Sequence, residues 1–241
     1  VNIVVGTGHG VRLFPSRLYE VSVRENGLAP LVILDLNSTD EIAYKPVKYS
    51  IATQEVKGLF AVESHSGQLS ITSSLDREKK GNYTVKVRVE DTSKRHRRSG
   101  EELHILSHHL AFDEALVLVK VLDENDNSPV FENSGRPLVA AVPLEGAFGY
   151  KVTQVKATDI DEGYNGEVRY KIVQKEKDAS SKFHIDPVTG IIRSTVTFSL
   201  DTVRLFKFDI KATDREGSDD GNSALTSVFV AALYLVVIPS D

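Results

Sequence analysis

Asp123-Glu124-Asn125-Asp126-Asn127-Ser128-Pro129 sets three acids and two amides in five consecutive positions near the middle of a 241-residue chain. It follows an apolar, strand-like run, Ala115 to Leu122, and ends at a proline. In extended backbone, consecutive side chains point to opposite sides. Such a segment offers side-chain oxygens to both flanks while its carbonyls serve the space between. Hard oxygens at this density suit Ca²⁺, which takes about six to eight of them in flexible geometry. An acidic run alone is more often a solvated turn, so the sequence on either side has to decide.

The two flanks repeat one another. Val47-Lys48-Tyr49-Ser50-Ile51 returns as Val168-Arg169-Tyr170-Lys171-Ile172, and Phe60 to Leu69 returns as Phe183 to Ile192 with Ser66-Gly67 matched by Thr189-Gly190. Leu75-Asp76 returns as Leu200-Asp201, and Val89-Glu90-Asp91 as Ala212-Thr213-Asp214. The offsets run from 121 (Val47 to Val168) to 125 (Leu75 to Leu200), a drift that loop changes explain. A self-match at this period means two domains of one fold in tandem.

Each copy reads as β. Tyr83, Val85, Val87 and Val89 alternate with polar residues, as do Phe206, Phe208 and Ile210, which marks half-buried strands. Val228 to Ile238 is too short to span a membrane and reads as a buried strand. Asn26-Gly27, Ser66-Gly67, Asn165-Gly166 and Thr189-Gly190 punctuate the runs at the short spacing of a sandwich. The expected fold is therefore all-β: two tandem Greek-key, immunoglobulin-like sandwiches of about seven strands each, joined by the acidic linker.

With these residues assembled, the chain resembles two consecutive extracellular cadherin repeats over essentially its whole length. The resemblance rests on Glu25 in Val23-Arg24-Glu25-Asn26, on Leu75-Asp76-Arg77-Glu78, on Asp123 to Asn127, on Asp159-Ile160-Asp161, and on Asp214 in Lys211-Ala212-Thr213-Asp214. It implies residues 1–14 as the end of a preceding linker, repeats over 15–122 and 130–241, and a calcium-binding linker at 123–129. It further implies about three calcium ions in a row. The first would use Glu25, Asp76, Glu78 and Asp126; the second Glu25, Glu78, Asp126 and Asp161 with the carbonyl of Glu124. The third would use Asn125, Asp159, Asp161 and Asp214 with the carbonyls of Asn127 and Asn165. Shared ions would turn mutual repulsion of the carboxylates, roughly 3 kcal/mol per pair about 5–6 Å apart at an effective dielectric of about 20, into cross-linking.

The ends depart from the pattern. Gly6-Thr7-Gly8-His9-Gly10 stands opposite Asp123 to Asn127, and Ser38 and Asp40 stand opposite Asp159 and Asp161. Glu145 is kept, but Asp201-Thr202-Val203 replaces Asp76-Arg77-Glu78. Calcium-free or calcium-poor joints are expected at both ends, and the abrupt start at Val1 suggests a piece of a longer chain. That arrangement fits a non-classical, protocadherin-type cadherin, with tip-link cadherins as the narrower comparison. The implied role is a calcium-dependent adhesion or mechanical-linkage segment in the extracellular part of a membrane-anchored protein, with other cadherin ectodomains as partners in cis or trans. The competing expectation is a non-adhesive spacer or cis-dimerisation module.

Composition trims the alternatives. A net charge of −5 gives no electrostatic footprint for nucleic acid. With no cysteine there are no disulfides, thiolate zinc sites or cysteine nucleophiles, and with no tryptophan the strand exchange that inserts one into a partner is closed to this segment. No Gly-x-Ser-x-Gly occurs, and the glycines at 6–10 lack the lysine and helix of a phosphate loop, so no enzyme is expected. Asn37-Ser38-Thr39 and Asn82-Tyr83-Thr84 are sequons, glycan acceptors in a secreted chain. Lys94-Arg95-His96-Arg97-Arg98 looks like a furin-type Arg-x-Arg-Arg cleavage site, against which stands the favoured reading as a solvated loop, and His104, His108, His109 and Asp113 read as a surface insertion rather than a zinc site.

Overall fold

The structure, a computed structural model, describes residues 13–36, 46–92, 112–146, 148–173, 180–199 and 205–234. The described residues form strands, short 3-10 turns and connecting loops, with no α-helix among them. The chain divides into two compact units, Val1–Asp123 and Glu124–Asp241.

In the first unit the strands are β1 (Leu18–Arg24), β2 (Leu31–Asp35), β3 (Val47–Ile51), β4 (Phe60–Val62), β5 (Gln68–Ile71), β6 (Asn82–Asp91) and β7 (Phe112–Leu122). They make a four-stranded sheet in the order β1-β7-β6-β3 and a three-stranded sheet β2-β5-β4. Every pairing is antiparallel except β1 with β7, which run parallel in register from Leu18↔Leu116 to Arg24↔Leu122. Alternation does what the sequence predicts. Tyr83, Val85, Val87 and Val89 of β6 and Ala115, Val117, Val119 and Val121 of β7 are all buried, packing in one core with Phe60, Leu69 and Ile71.

The second unit contains β8 (Val130–Phe131), β9 (Leu138–Pro143), β10 (Lys151–Gln154), β11 (Ala157–Thr158), β12 (Arg169–Val173), β13 (Phe183–Ile185), β14 (Ile191–Ser194), β15 (Leu205–Thr213) and β16 (Ser223–Leu233). Its sheets, β12-β15-β16-β9 and β10-β14-β13, repeat the first unit's topology strand for strand, including the parallel pair β16 with β9. A two-stranded bridge, β8 with β11, is added to these seven. Tyr170 fixes it at one end: its hydroxyl accepts the Ala157 N–H at 2.8 Å and donates to the Ala157 carbonyl at 3.3 Å. The core is aromatic. Phe183 meets Phe198, Phe206 and Phe208 with ring centroids 5.7, 5.6 and 4.9 Å away.

One turn is built identically in both units. Glu63 Oε2 accepts the backbone N–H groups of His65 and Ser66, and Asp186 Oδ1 accepts those of Val188 and Thr189. The turns close on Gly67 and Gly190, at φ +75° and +69°. Beneath each lies the tyrosine of the repeated block: Tyr49 N–H donates to Ser64 O, and Tyr170 N–H to Pro187 O.

Two expectations are corrected. The last strand starts earlier, at Ser223, and runs to Leu233, paired with β15 through Ala231 and with β9 through Leu233; Val228 lies within it, and the residues beyond 234 lie outside the described ones. Asp113 is no surface residue. It is buried in β7, where Oδ2 accepts the N–H groups of Leu13 and Phe14 at 2.9 and 3.1 Å and ties the entering chain to the sandwich. The segments holding Gly6 to Gly10, Asn37, Asp40, Lys94 to Arg98, His104 to His109 and Asp201 are outside the described residues.

Candidate metal centre

Glu25 leaves β1 at the point where the backbone turns away from the sheet. Its N–H still donates to Leu122 O, and the next N–H, from Asn26 at φ +56°, donates to Leu75 O. This double anchorage turns the carboxylate inward, where it is only 2% exposed and accepts the Arg77 N–H at 2.8 Å. Ligand oxygens of Glu25, Glu78 and Asp123 lie within 4.8 Å of one another. At that distance two carboxylates repel by about 3.5 kcal/mol at an effective dielectric of about 20. Arg77 answers part of this repulsion by ion-pairing with both Glu78 and Asp123. Burial, followed by the shared hydrogen bond and charge of Glu25, raises the Glu78 pKa, and Arg77 opposes the rise. Asp76 stands in the same turn but faces Lys79, accepting its N–H at 2.9 Å and its ammonium at 2.9 Å; these contacts lower the Asp76 pKa.

The second unit builds its own acidic group. Asp159 and Asp161 follow β11 and flank Ile160, which is exposed, so alternation sends both carboxylates the same way. Asp214 directly follows β15 and is fully buried. Oxygens of Asp159, Asp161 and Asp214 converge within 4.8 Å. Burial raises the Asp214 pKa, with partial relief from the Asn125 side chain and Asn222; burial also raises that of Asp159, with the charges of Asp161 and Asp214 adding to it. Neither Asp214 oxygen, nor Asp159 Oδ2, nor Asn125 Oδ1 has a well-formed hydrogen bond, although all are buried. Buried polar atoms are normally satisfied.

The lead-in segment is tied down around this group. Asn127 donates its side-chain N–H to Asp161 at 2.7 Å and to Asp126 at 2.7 Å, and its backbone N–H to Asp161 at 3.3 Å. Asn222 donates to the carbonyls of Asn125 and Asn127 at 3.1 and 2.8 Å. The Glu124 carbonyl accepts the Asp126 N–H, and Asn165 Oδ1 accepts from Arg215 Nε at 3.0 Å. Two glycines keep the cradle open. A Cβ on Gly221 would sit 2.5 Å from Asp214 Oδ1, and one on Gly166 would sit 2.4 Å from the Asp161 carbonyl.

These residues fit a hard divalent cation. The donors are all oxygens, the side-chain donors are carboxylates and amides, and several are buried without a well-formed hydrogen bond. Among the predicted ligands, Glu25 and Glu78 come together in the first unit, and Asp159, Asp161 and Asp214 in the second with Asn125 and Asn127 beside them. Asp76 belongs to neither convergent group, because Lys79 holds it. Two contributors were not assigned from sequence. Asp123 heads the acidic stretch itself, yet only the structure reveals that its side chain turns back toward Glu25. Asn222 lies eight residues beyond Asp214 in a loop whose path no local pattern fixes.

The profile described as "Cadherin domain" matches residues 19–106 and 140–231. Cadherin-89D of Drosophila melanogaster is 34% identical over 232 residues, covering 91% of this chain but 10% of that protein. Cadherin EGF LAG seven-pass G-type receptor 2 of Homo sapiens is 31% identical over 216 residues, covering 89% and 7%. The chain thus spans a tenth or less of these relatives. Among solved structures, mouse cadherin-23 EC22-24 superposes with a TM-score of 0.74 at 26% identity, covering 92% of this chain and 64% of that one.

Proposed function

The chain belongs to the cadherin family, and from that premise we propose that it is an adhesion or mechanical-linkage segment whose two repeats are joined by about three calcium ions. Cadherin repeats are extracellular adhesion modules, not enzymes. The observation that carries the calcium reading is Asp214: a fully buried carboxylate, neither oxygen well hydrogen-bonded, in a converging group of three acids. An isolated buried charge is costly unless paired or bound to metal.

In this reading Glu25, Glu78 and Asp123 hold the first unit's share of the ions, with Asp76 at the rim. Asp159, Asp161, Asp214, Asn125 and the carbonyl of Asn127 hold the second unit's share. Glu124, Asp126 and the carbonyl of Asn165 complete the ligand set that the family pattern implies. Bound calcium supplies positive charge where the carboxylates repel, and sharing it between repeats stiffens the joint. Other cadherin ectodomains are the proposed partners.

Thermal unfolding with and without calcium tests this. Saturating calcium should raise the melting temperature over a chelated sample, because a ligand that binds only the folded state stabilises it by mass action. Asp214→Asn should remove most of the rise. Equal melting temperatures in calcium and chelator would overturn the proposal.

A further inference from the structure

We infer that Asn82 is an N-glycosylation site, and that its sugar covers the outer face of the first unit's four-stranded sheet. The inference rests on the extracellular reading of the chain, but not on calcium. The sequon occupies the first three residues of β6, where alternation leaves Asn82 and Thr84 exposed and sends Tyr83 into the core. Acceptor amide and hydroxyl therefore share one open face of a fixed strand.

Among the described residues, three other asparagine amides are committed to structure. Asn127 donates to Asp126 and Asp161, Asn133 to Thr226 and the Arg136 carbonyl, and Asn222 to two backbone carbonyls. Glycosylation consumes one amide N–H, so at those positions it would cost contacts. Among the described residues no hydrogen bond engages the Asn82 side chain, so there it costs none.

The register also supplies a bed for the first sugar. Asn82 pairs with Lys120, which pairs with Ser22; Thr84 pairs with Leu118, which pairs with Glu20. These six positions form a grid on one face and line a shallow depression. Leu118 offers an apolar floor to a pyranose ring face, and Glu20, Ser22 and Lys120 offer hydrogen-bonding groups at its rim. The co-reactant is a lipid-diphosphate-linked oligosaccharide. A bond forms between Asn82 Nδ2 and the anomeric carbon, the bond from that carbon to the diphosphate oxygen breaks, and the lipid diphosphate leaves as the amide gives up one proton. With the glycan in place, partner contacts must use other surfaces than this face.

The test is to secrete the full chain from insect or mammalian cells and map its peptides before and after peptide-N-glycosidase treatment. The expected result is a hexosamine-bearing Asn82 peptide that the enzyme deamidates at Asn82. Asn82→Gln and Thr84→Ala should abolish this modification, while Thr84→Ser keeps it. Circular dichroism of the enzyme-treated chain, matched to untreated material, checks that the fold is retained. A secreted, folded chain whose Asn82 peptide is unmodified overturns the inference, and it does so whether or not calcium binds.

Discussion

Gly190 sits at φ +69°, and a Cβ there would meet the Val155 carbonyl oxygen at 2.3 Å. Gly135 has a similar φ, +76°, with nothing within 4 Å of the same atom. Gly135→Ala should therefore cost about 1 kcal/mol, the conformational term alone. Gly190→Ala should cost about 3 kcal/mol, because backbone must move as well. Urea unfolding of the two variants checks the difference. The matching turn of the first unit, closed by Gly67, governs an acid titration. Backbone N–H groups of Ser66 and His65 lower the Glu63 pKa to about 2. A carboxyl depressed on folding lends stability that is fully present above its unfolded value and lost as pH falls through the folded one. The loss here falls between the ordinary carboxylate range and about pH 2. Carboxyl carbon NMR should place the Glu63 midpoint near 2, and a midpoint at the ordinary glutamate value would refute the turn's geometry. The turn was legible in sequence as Ser66-Gly67 and Thr189-Gly190. Its anchoring carboxylates were not, since nothing in the pattern separates Glu63 from a solvated acid.

At the scale of elements, the repeat offset and period-two runs were enough to read two sandwiches, because alternation in β6 and β15 reports one buried face directly. The bridge of β8 and β11 escaped, since two residues carry no period. The convergence of Asp159, Asp161 and Asp214 follows from where β11 and β15 end, and the repeated motifs located those ends. Asp123 and Asn222 depend on side-chain direction and loop path, which sequence spacing does not encode. The packing makes its own prediction. Phe183, 4% exposed, touches three other rings in the second unit, so Phe183→Ala should destabilise that unit by about 3–5 kcal/mol. Hydrogen exchange should show β12, β15 and β16 opening sooner while β6 and β7 keep their protection, because the two cores are separate.

For the whole molecule, each unit carries an acidic group that is electrostatically costly by itself. Arg77 supplies one positive charge against three carboxylates in the first unit. In the second, Arg215 pairs with Asn165 and Asp220 and its charge only partly offsets Asp214, so the pKa values of Asp159 and Asp214 stay raised by burial and by the charge of neighbouring carboxylates. In the proposed role, bound calcium offsets the negative charge that each of these two acidic groups retains. The direct measurement is a calorimetric calcium titration of the chelator-stripped chain, beside Asp214→Asn. About three ions per chain should bind at roughly 10⁻⁴–10⁻³ M, with at least one site lost in the variant. No binding at all, or identical isotherms for the two proteins, would refute a calcium-bound joint.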